Sequence, residues 1–208
     1  MKTVLPSGEP LVGRTVRLDP LTDGDLPELF PLLADPAVYA SGYVMHRRPE
    51  TVEDAVALAR ERFLPPQAPD GRGAGRLAYA IRLVDGDSAG TLVGTSALLE
   101  AHLVNESIHL GSTLVDRRWW GSRVNPETKL LLLTHCFEDC GYGRVKIQTD
   151  LLNIRSQGSI VRLGARREGV LRRDQRREDG SFRDTVVFSV LNDEWPAVKS
   201  GLQARLPD

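Results

Sequence analysis

The sequence predicts an α/β domain in which helices cover both faces of a mixed β-sheet. β-rich and amphipathic helical segments alternate in the order β-α-α-β-β-β-α-β-α-β-β. Three consecutive β-rich segments within residues 77–116 are separated only by short turns, which is typical of an antiparallel meander. No internal repeat or linker divides the 208 residues, and that length can bury a substantial core. We therefore expect a single domain over residues 1–208, with its core at about 12–206.

The N-terminal elements are predicted to be a strand and a helix. Residues 14–19, RTVRLD, alternate in polarity and precede turn-forming residues, which indicates a strand. The following segment, LTDGDLPELFPLLADP, predicts a helix that Thr22 or Asp23 caps. Pro31 lies within it, so we expect this helix to be kinked or split into two short pieces.

A second helix is predicted over residues 50–63, with an apolar face made of Ala55, Leu58, Ala59 and Phe63. The composition of residues 65–76, PPQAPDGRGAGR, predicts a flexible loop.

The remaining elements follow the meander. The pattern predicts helices at 126–140, 154–163 and from about 192 onwards, and strands at 144–150, 167–173 and 182–191. The turn EDGS joins the last two strands.

Composition excludes several classes of protein. The net charge of -1 provides no overall attraction to nucleic acid or to an anionic membrane. No apolar segment approaches the ~20 residues needed to cross a bilayer, and the N-terminus does not resemble a signal peptide. Cys136 and Cys140 are interpreted as small buried hydrophobic residues, and the four histidines lack the spacing of metal ligands. We expect a cytoplasmic protein without a metal, without direct binding to nucleic acid and without a membrane partner.

A strand-to-helix turn in DRRWWGSRVNPETKLLLLTHCFE is a candidate anion site. Asn125 is a favoured N-cap residue, and Pro126 suits the first helical position. Glu127 complements the helix dipole in the first turn. The amides of residues 121–125 and of the helix start could face an anion such as a pyrophosphate. By itself this pattern indicates only a structural cap.

A second segment, DLLNIRSQGSIVRLGA at 150–165, makes the assignment more specific. Asn153, Ser156, Leu163 and Gly164 form the pattern N-x-x-S followed by a leucine–glycine pair. With this pattern and the preceding loop, the chain resembles the GNAT acetyltransferases, particularly their RimJ/RimL-like branch. The resemblance covers most of the chain and implies a mostly antiparallel sheet of six to seven strands flanked by helices on both faces.

The resemblance implies acetyl-CoA as the acetyl donor. It also implies an acceptor-binding cleft built from variable loops, here residues 36–48 and 65–76. In the family, the first segment cradles the pyrophosphate, the second flanks the pantetheine arm, and the end of a splayed strand offers a backbone amide to the thioester. Carried onto this chain, the coenzyme-binding residues are Thr113, Leu114, Val115, Gly121, Ser122, Arg123, Val124, Asn125, Glu127, Asn153 and Ser156. Arg123 and Asn125 depart from the small residues that the family usually has in the pyrophosphate loop.

Catalytic candidates come from the same comparison. Acyl transfer to an amine needs a base that removes a proton from the amine. His109 stands where many relatives have a glutamate, and its near-neutral reference pKa suits proton transfer. A histidine held by a core hydrogen bond is the alternative interpretation, and Glu106 and Glu100 are other candidate bases. Ile160 occupies the place of the usual tyrosine acid, which leaves Ser156 as a candidate proton donor.

Three functions from different classes remain open. The first is an active N-acetyltransferase that acts on a protein N-terminus or a small-molecule amine. The second is a degenerate GNAT domain that binds acyl-CoA without turnover, which Arg123 and the absent tyrosine suggest. The third is an unrelated nucleotide-binding protein, disfavoured because the loop lacks a Walker lysine and G-x-G-x-x-G. The closing strands could also pair across a homodimer.

Overall fold

A computed structural model describes residues 2–40, 44–64 and 76–206 and contains one eight-stranded sheet with helices on both faces. The strands are β1 (Leu11–Val12), β2 (Val16–Pro20), β3 (Leu77–Leu83), β4 (Leu92–His102), β5 (Ser107–Val115), β6 (Arg144–Asp150), β7 (Arg166–Arg176) and β8 (Phe182–Leu191). The helices are α1 (Phe30–Leu33), α2 (Pro36–Tyr39), α3 (Val52–Phe63), α4 (Val124–Thr134), α5 (Ile154–Leu163) and α6 (Trp195–Gln203).

The predicted fold class is confirmed. The sheet has eight strands, whereas six or seven were expected. The additional strand is β1, which has only two residues and was too short to produce a periodic pattern. The sheet order is β1-β2-β3-β4-β5-β6-β8-β7, and β5 with β6 is its parallel pair. The sheet is therefore mixed and mostly antiparallel, as expected.

The N-terminal helical segment is divided at its prolines. A 3₁₀ turn at Asp23–Leu29 contains Pro27, and α1 follows with Pro31 in its first turn. α2 then begins at Pro36 with Asp35 as its side-chain cap. Most of the predicted loop, residues 65–75, lies outside the described residues, as do residues 41–43 of the other predicted substrate-binding segment.

Two hydrophobic cores lie on opposite faces of the sheet. Strand β3 shows the alternation, because Tyr79 and Ile81 point into one core whereas Ala78 and Ala80 point into the other. The α4-side core contains residues of α4, α5 and α6, and the α3-side core contains residues of α3 and of the 3₁₀ turn. The face to which a strand residue points therefore decides which helices it meets.

Helix α4 begins earlier than predicted and is anchored at its first turn. It starts at Val124, so the prediction of Asn125 as the N-cap is wrong; Asn125 and Pro126 lie inside the helix. The side chain of Ser122 accepts a hydrogen bond from the Val124 amide at 3.2 Å, which satisfies one N–H of the first turn. The last predicted turn of this helix is a π-helical segment, His135–Asp139.

Gly94 allows β4 and β5 to approach closely. A Cβ atom at this position would lie 2.4 Å from the carbonyl oxygen of Leu114. We expect the Gly94→Ala variant to lose about 1–3 kcal/mol of unfolding free energy, because a backbone atom cannot rotate away. Urea denaturation measures the loss. Gly169→Ala is the control, since Gly169 lies in a strand with no atom within 4 Å of the added methyl group. Equal stability of the two variants would contradict the prediction.

None of the helices in the described part of the chain is long and apolar enough to cross a membrane.

Candidate active site

A gap opens in the sheet between β5 and β6. The two strands pair in parallel only from Ser107 with Arg144 to Leu110 with Ile147. β5 continues to Val115 and β6 to Asp150, but β6 is paired there with β8 alone. Beyond Leu110, the edge of β5 that faces β6 therefore has no partner among the described strands, which leaves an opening between the two strands. We call this opening the β5–β6 gap.

A bulge in β5 produces the gap. Ser112 has a left-handed backbone with φ of 48°, and the β4–β5 register shifts between Thr95 and Ala97. The Thr95 hydroxyl donates to the Ser112 carbonyl at 3.2 Å and thereby holds the bulge. Beyond it, the indole of Trp120 donates to the Val115 carbonyl at 2.8 Å. Thr113, Leu114 and Val115, predicted as the thioester-facing segment, are the residues that this distortion directs away from β6.

A cleft continues the gap on the α4 side of the sheet. Asn125 of α4 donates to the Ser159 hydroxyl of α5 at 3.2 Å and so connects the two helices across the cleft. Within the described chain, the Asn125 side-chain oxygen is buried and has no hydrogen-bond partner. The cleft is lined by Asn125, Pro126, Lys129, Ile147, Ser159, Ile160, Leu163, Leu202 and Arg205. The two sequence segments that predicted a coenzyme site thus form opposite walls of one cleft.

Local capping explains the shape of the second segment. The Asn153 side chain accepts a hydrogen bond from the Ser156 amide at 3.0 Å and caps α5. Gly164 ends the helix with φ of 103°, a left-handed conformation that glycine adopts without strain. The guanidinium of Arg155 lies 3.2 Å from the centre of the Trp120 ring, which joins α5 to the loop before α4. Asn153 and Ser156 therefore have a structural role in capping α5, whether or not they also contact the coenzyme.

The loop before α4 is open to an incoming group at Gly121. This glycine has φ of 77°, and no atom lies within 4 Å of the place that a Cβ would take, so the backbone is accessible there. The Arg123 side chain is exposed, at the start of α4. Ser122 is bonded to the Trp119 carbonyl and to the Val124 amide, which holds the loop in place.

The buried side chain of Glu127 forms hydrogen bonds within the protein. Its carboxylate accepts hydrogen bonds from the amides of Arg14, Thr15 and Val16 at 2.7–2.9 Å and is 6% exposed. The side chain therefore holds the turn between β1 and β2 against α4. The family resemblance placed Glu127 among the coenzyme-binding residues, whereas its acceptor oxygens face the hairpin of β1 and β2.

His109 lies on the α3 side of β5, immediately before the gap. It pairs with Leu99 across the sheet, and Leu99 belongs to the α3-side core. A Cβ atom on Gly111 would lie 2.8 Å from His109 Nε2, so the ring extends along the strand toward the gap in the space that this glycine leaves. His109 is 5% exposed, and among the described residues neither ring nitrogen has a hydrogen-bond partner.

Burial lowers the pKa of His109, although Glu100 nearby opposes that shift. His109 Nδ1 and Glu100 Oε1 are 3.6 Å apart, which is longer than a hydrogen bond. His109 and Lys146 hold the pKa of Glu100 at about 2, and Lys146 Nζ lies 2.6 Å from its carboxylate. At neutral pH the site therefore combines an uncharged imidazole with an ionised carboxylate.

Glu106 is separated from these groups. It lies in the turn before β5, with φ of 48°, and its carbonyl accepts the amides of Gly143 and Arg144. This turn is at the end of the parallel pair opposite the gap. The sequence placed Glu106 on the same strand as His109, and the structure starts that strand at Ser107.

Lys129 is the site residue that sequence analysis missed. It is 7% exposed on α4, and its ammonium donates to the hydroxyl of Thr113 at 2.5 Å and to that of Ser96 at 3.3 Å. Burial lowers the pKa of Lys129 to about 7. A signal was present in the sequence, because Lys129 shares a helical face with the buried Leu132, Leu133 and Cys136.

Comparisons with known proteins agree with this geometry. A family model described as an acetyltransferase (GNAT) domain matches residues 15–166. A solved GCN5-related N-acetyltransferase from Brucella melitensis is 27% identical with a TM-score of 0.83, and the match covers 99% of this chain and 89% of that one. A candidate acetyltransferase from T. thermophilus is 38% identical with a TM-score of 0.81, covering 96% of this chain and 97% of that one.

A more distant structure has the same fold. Mycobacterium smegmatis RimJ, solved in complex with CoA-disulfide, is 21% identical with a TM-score of 0.73 over 94% of this chain and 92% of that one. No protein with a curated function matches the sequence.

Proposed function

Because this chain belongs to the GNAT acetyltransferase family and is an acyltransferase, we propose that it transfers an acetyl group from acetyl-CoA to a primary amine. The acceptor is a protein N-terminus or a small-molecule amine, and the amine attacks directly in a ternary complex. The observation that carries the proposal is the β5–β6 gap, which joins a cleft on the α4 side to His109 on the α3 side. Donor and acceptor would thus meet through the sheet.

Residues of the cleft, of the loop before α4 and of β5 suit a coenzyme of this kind. The accessible backbone at Gly121 and the start of α4 favour a negatively charged pyrophosphate. The buried, unpartnered oxygen of Asn125 offers an acceptor for an amide N–H of the pantetheine arm. On the edge of β5 that faces the gap, backbone groups of Thr113, Leu114 and Val115 would pair with the same arm, apart from the Val115 carbonyl that Trp120 occupies. They would place a donor near the thioester oxygen, which gains charge during the reaction.

His109 is the proposed base. An amine must lose a proton before or during attack on the thioester, and an imidazole that is neutral at pH 7 can accept it. Glu100 remains ionised beside it and stabilises the imidazolium that results. The ring reaches toward the gap from the side opposite the cleft, which is the side from which an amine can approach.

The wider setting is part of the proposal. We propose that the chain is one acetyltransferase domain of the RimJ/RimL-like branch and acts in the cytoplasm. A homodimer through the closing strands is supported by the position of β7, which forms one edge of the sheet.

Coenzyme binding and turnover test the proposal separately. We expect acetyl-CoA at 100 times its Kd to stabilise the protein by about 2.7 kcal/mol in thermal unfolding, whereas ATP and NAD do not. We also expect release of free thiol from acetyl-CoA when a panel of amines and N-terminal peptides is added. Absence of stabilisation by acetyl-CoA would remove the proposal. Stabilisation without thiol release for any acceptor would favour a degenerate domain that binds acyl-CoA without turnover.

A further inference from the structure

We propose that Lys129, acting through the hydroxyl of Thr113, supplies the proton that the coenzyme thiolate takes up when it leaves. This inference rests on the proposed function, because it assigns the acid step of the same reaction. Thr113 is the group that would touch the leaving sulfur, and Lys129 acts through it.

Three side chains form a hydrogen-bonded group on the α4 side of the sheet. Lys129 Nζ lies 2.5 Å from Thr113 Oγ1 and 3.3 Å from Ser96 Oγ, and the two hydroxyl oxygens are 2.8 Å apart. Ser96 is fully buried opposite Tyr79, whose side chain belongs to the α4-side core. Thr113 is exposed, immediately after the bulge at Ser112. The group therefore leads from a buried ammonium to the open β5–β6 gap.

The ammonium is in an unusual environment for a lysine. Lys129 is surrounded by an apolar helical face, and within the described chain its hydrogen-bond partners are hydroxyl groups and not a carboxylate. Burying a cation without an opposite charge is unfavourable, so Lys129 releases its proton far more readily than an exposed lysine. Hydroxyls stabilise the ammonium less than a carboxylate would, and they can also pass a proton onward.

The position of Lys129 indicates that it protonates the leaving group and does not deprotonate the amine. His109 lies on the α3 side of the gap, whereas Lys129 is reached from the α4 side, where the cleft lies. Two titratable groups on opposite sides of the gap can then act on opposite ends of the reaction, one on the entering amine and one on the departing sulfur. Ile160, in the wall of the same cleft, is apolar and cannot donate a proton.

The step balances in atoms and charge. As the carbon–sulfur bond breaks, its electron pair stays on sulfur. The Thr113 hydroxyl gives its proton to that sulfur and receives one from Lys129, so that free thiol and a neutral lysine amine result. The transfer is favourable because Lys129 titrates at about 7 and a thiol at roughly 8.5. Solvent then returns a proton to the amine through the open cleft.

Kinetics of two variants test the step. We expect Lys129→Met, which preserves length but not charge, to lower kcat by roughly 10²-fold or more while the KM for acetyl-CoA changes less. Thr113→Val should have a similar effect, and the double variant should be no slower than the slower single variant, since the two groups act in series. The control is Lys199→Met, because Lys199 lies on α6 and pairs with Glu138 of the π-helical segment, away from the gap.

The pH dependence distinguishes an acid from a merely structural lysine. Turnover of the wild-type protein should decrease as the pH rises above about 7, where Lys129 loses its proton, and this decrease should be absent in Lys129→Met.

The stability of the protein without coenzyme provides a second measurement of the Lys129 pKa. Folding lowers the pKa of Lys129. Between about pH 7 and pH 10.4, the unfolded chain therefore binds more protons than the folded protein. The contribution of Lys129 to stability should therefore rise with pH across this range, and Lys129→Met should lack that rise.

The outcomes separate this inference from the proposed function. If the wild-type protein turns over acetyl-CoA and both Lys129→Met and Thr113→Val retain its kcat and its pH profile, the acid assignment is overturned. Should Lys129→Met fail to fold, the exposed Thr113→Val change decides the question by itself. If acetyl-CoA does not bind the wild-type protein at all, the proposed function fails, and the stability profile alone still reports the state of Lys129.

Discussion

His109→Gln is expected to lower kcat by roughly 10²–10⁴-fold, the range that a general base contributes. Glutamine preserves a polar side chain of similar size beside Gly111 but cannot accept a proton near neutral pH. The KM for acetyl-CoA should change little, since His109 lies on the α3 side of the sheet and the cleft on the other. Steady-state thiol release with the best acceptor from the amine panel measures both parameters.

The pH profile makes this prediction specific. Burial lowers the pKa of His109 from its ordinary value of about 6.5, so the wild-type base remains neutral at pH 6.5 and turnover should decline only at more acidic pH. His109→Gln should lack this acid limb. His135→Gln is the matched control, because His135 is equally buried but is paired with Asp139 Oδ2 at 2.8 Å, away from the gap. Full turnover of His109→Gln at every pH would eliminate His109 as the base.

Glu127→Ala is expected to lower the unfolding free energy by about 1–3 kcal/mol, the cost of leaving a buried backbone donor without a partner. The carboxylate accepts the amides of Arg14, Thr15 and Val16, and the variant would leave these donors, of which Val16 is buried, without their partner. The hairpin of β1 and β2 would also lose its attachment to α4. Urea denaturation, with the midpoint and the slope reported separately, measures the loss.

A second carboxylate at the start of a helix provides the control for Glu127. Glu53 lies in the first turn of α3 and is exposed, so its interaction with the helix dipole should contribute only about 0.3–1 kcal/mol. A loss in Glu127→Ala no larger than that in Glu53→Ala would mean that Glu127 acts through the dipole alone, as its sequence position first suggested.

The order of the elements was predictable because short-range signals determine it. Helix α5 was predicted with its observed bounds, since Asn153 caps one end and Gly164 terminates the other. The alternation in β3 and the split of the first helix at its prolines also depend on neighbours a few residues apart. The start of α4 was misplaced because the hydroxyl of Ser122 supports a helix that begins at Val124, before the residue with the stronger capping preference.

The site was predictable only in part. Sequence indicated that residues 121–125 and 153–156 bind a coenzyme, and of these Asn125 lines the cleft, across which it donates to Ser159. It also indicated His109, which lies beside the β5–β6 gap. These positions were recognisable because each belongs to a local motif whose order along the chain is characteristic of the family. The roles assigned to them as coenzyme ligands and base stay predictions that the experiments above test.

By itself, the sequence determined the fold class and the order of strands and helices, because periodicity and capping act over a few residues. Its resemblance to a known family, carried by local motifs, indicated the acyltransferase family. Only the tertiary structure decided what the buried charges do. Glu127 accepts amides 111–113 residues away in the sequence. Lys129, on α4, donates to the hydroxyl of Ser96, which is 33 residues away on β4. Such contacts depend on which face of the sheet each helix covers and on a one-residue bulge at Ser112, and neither produces a pattern in the residues nearby.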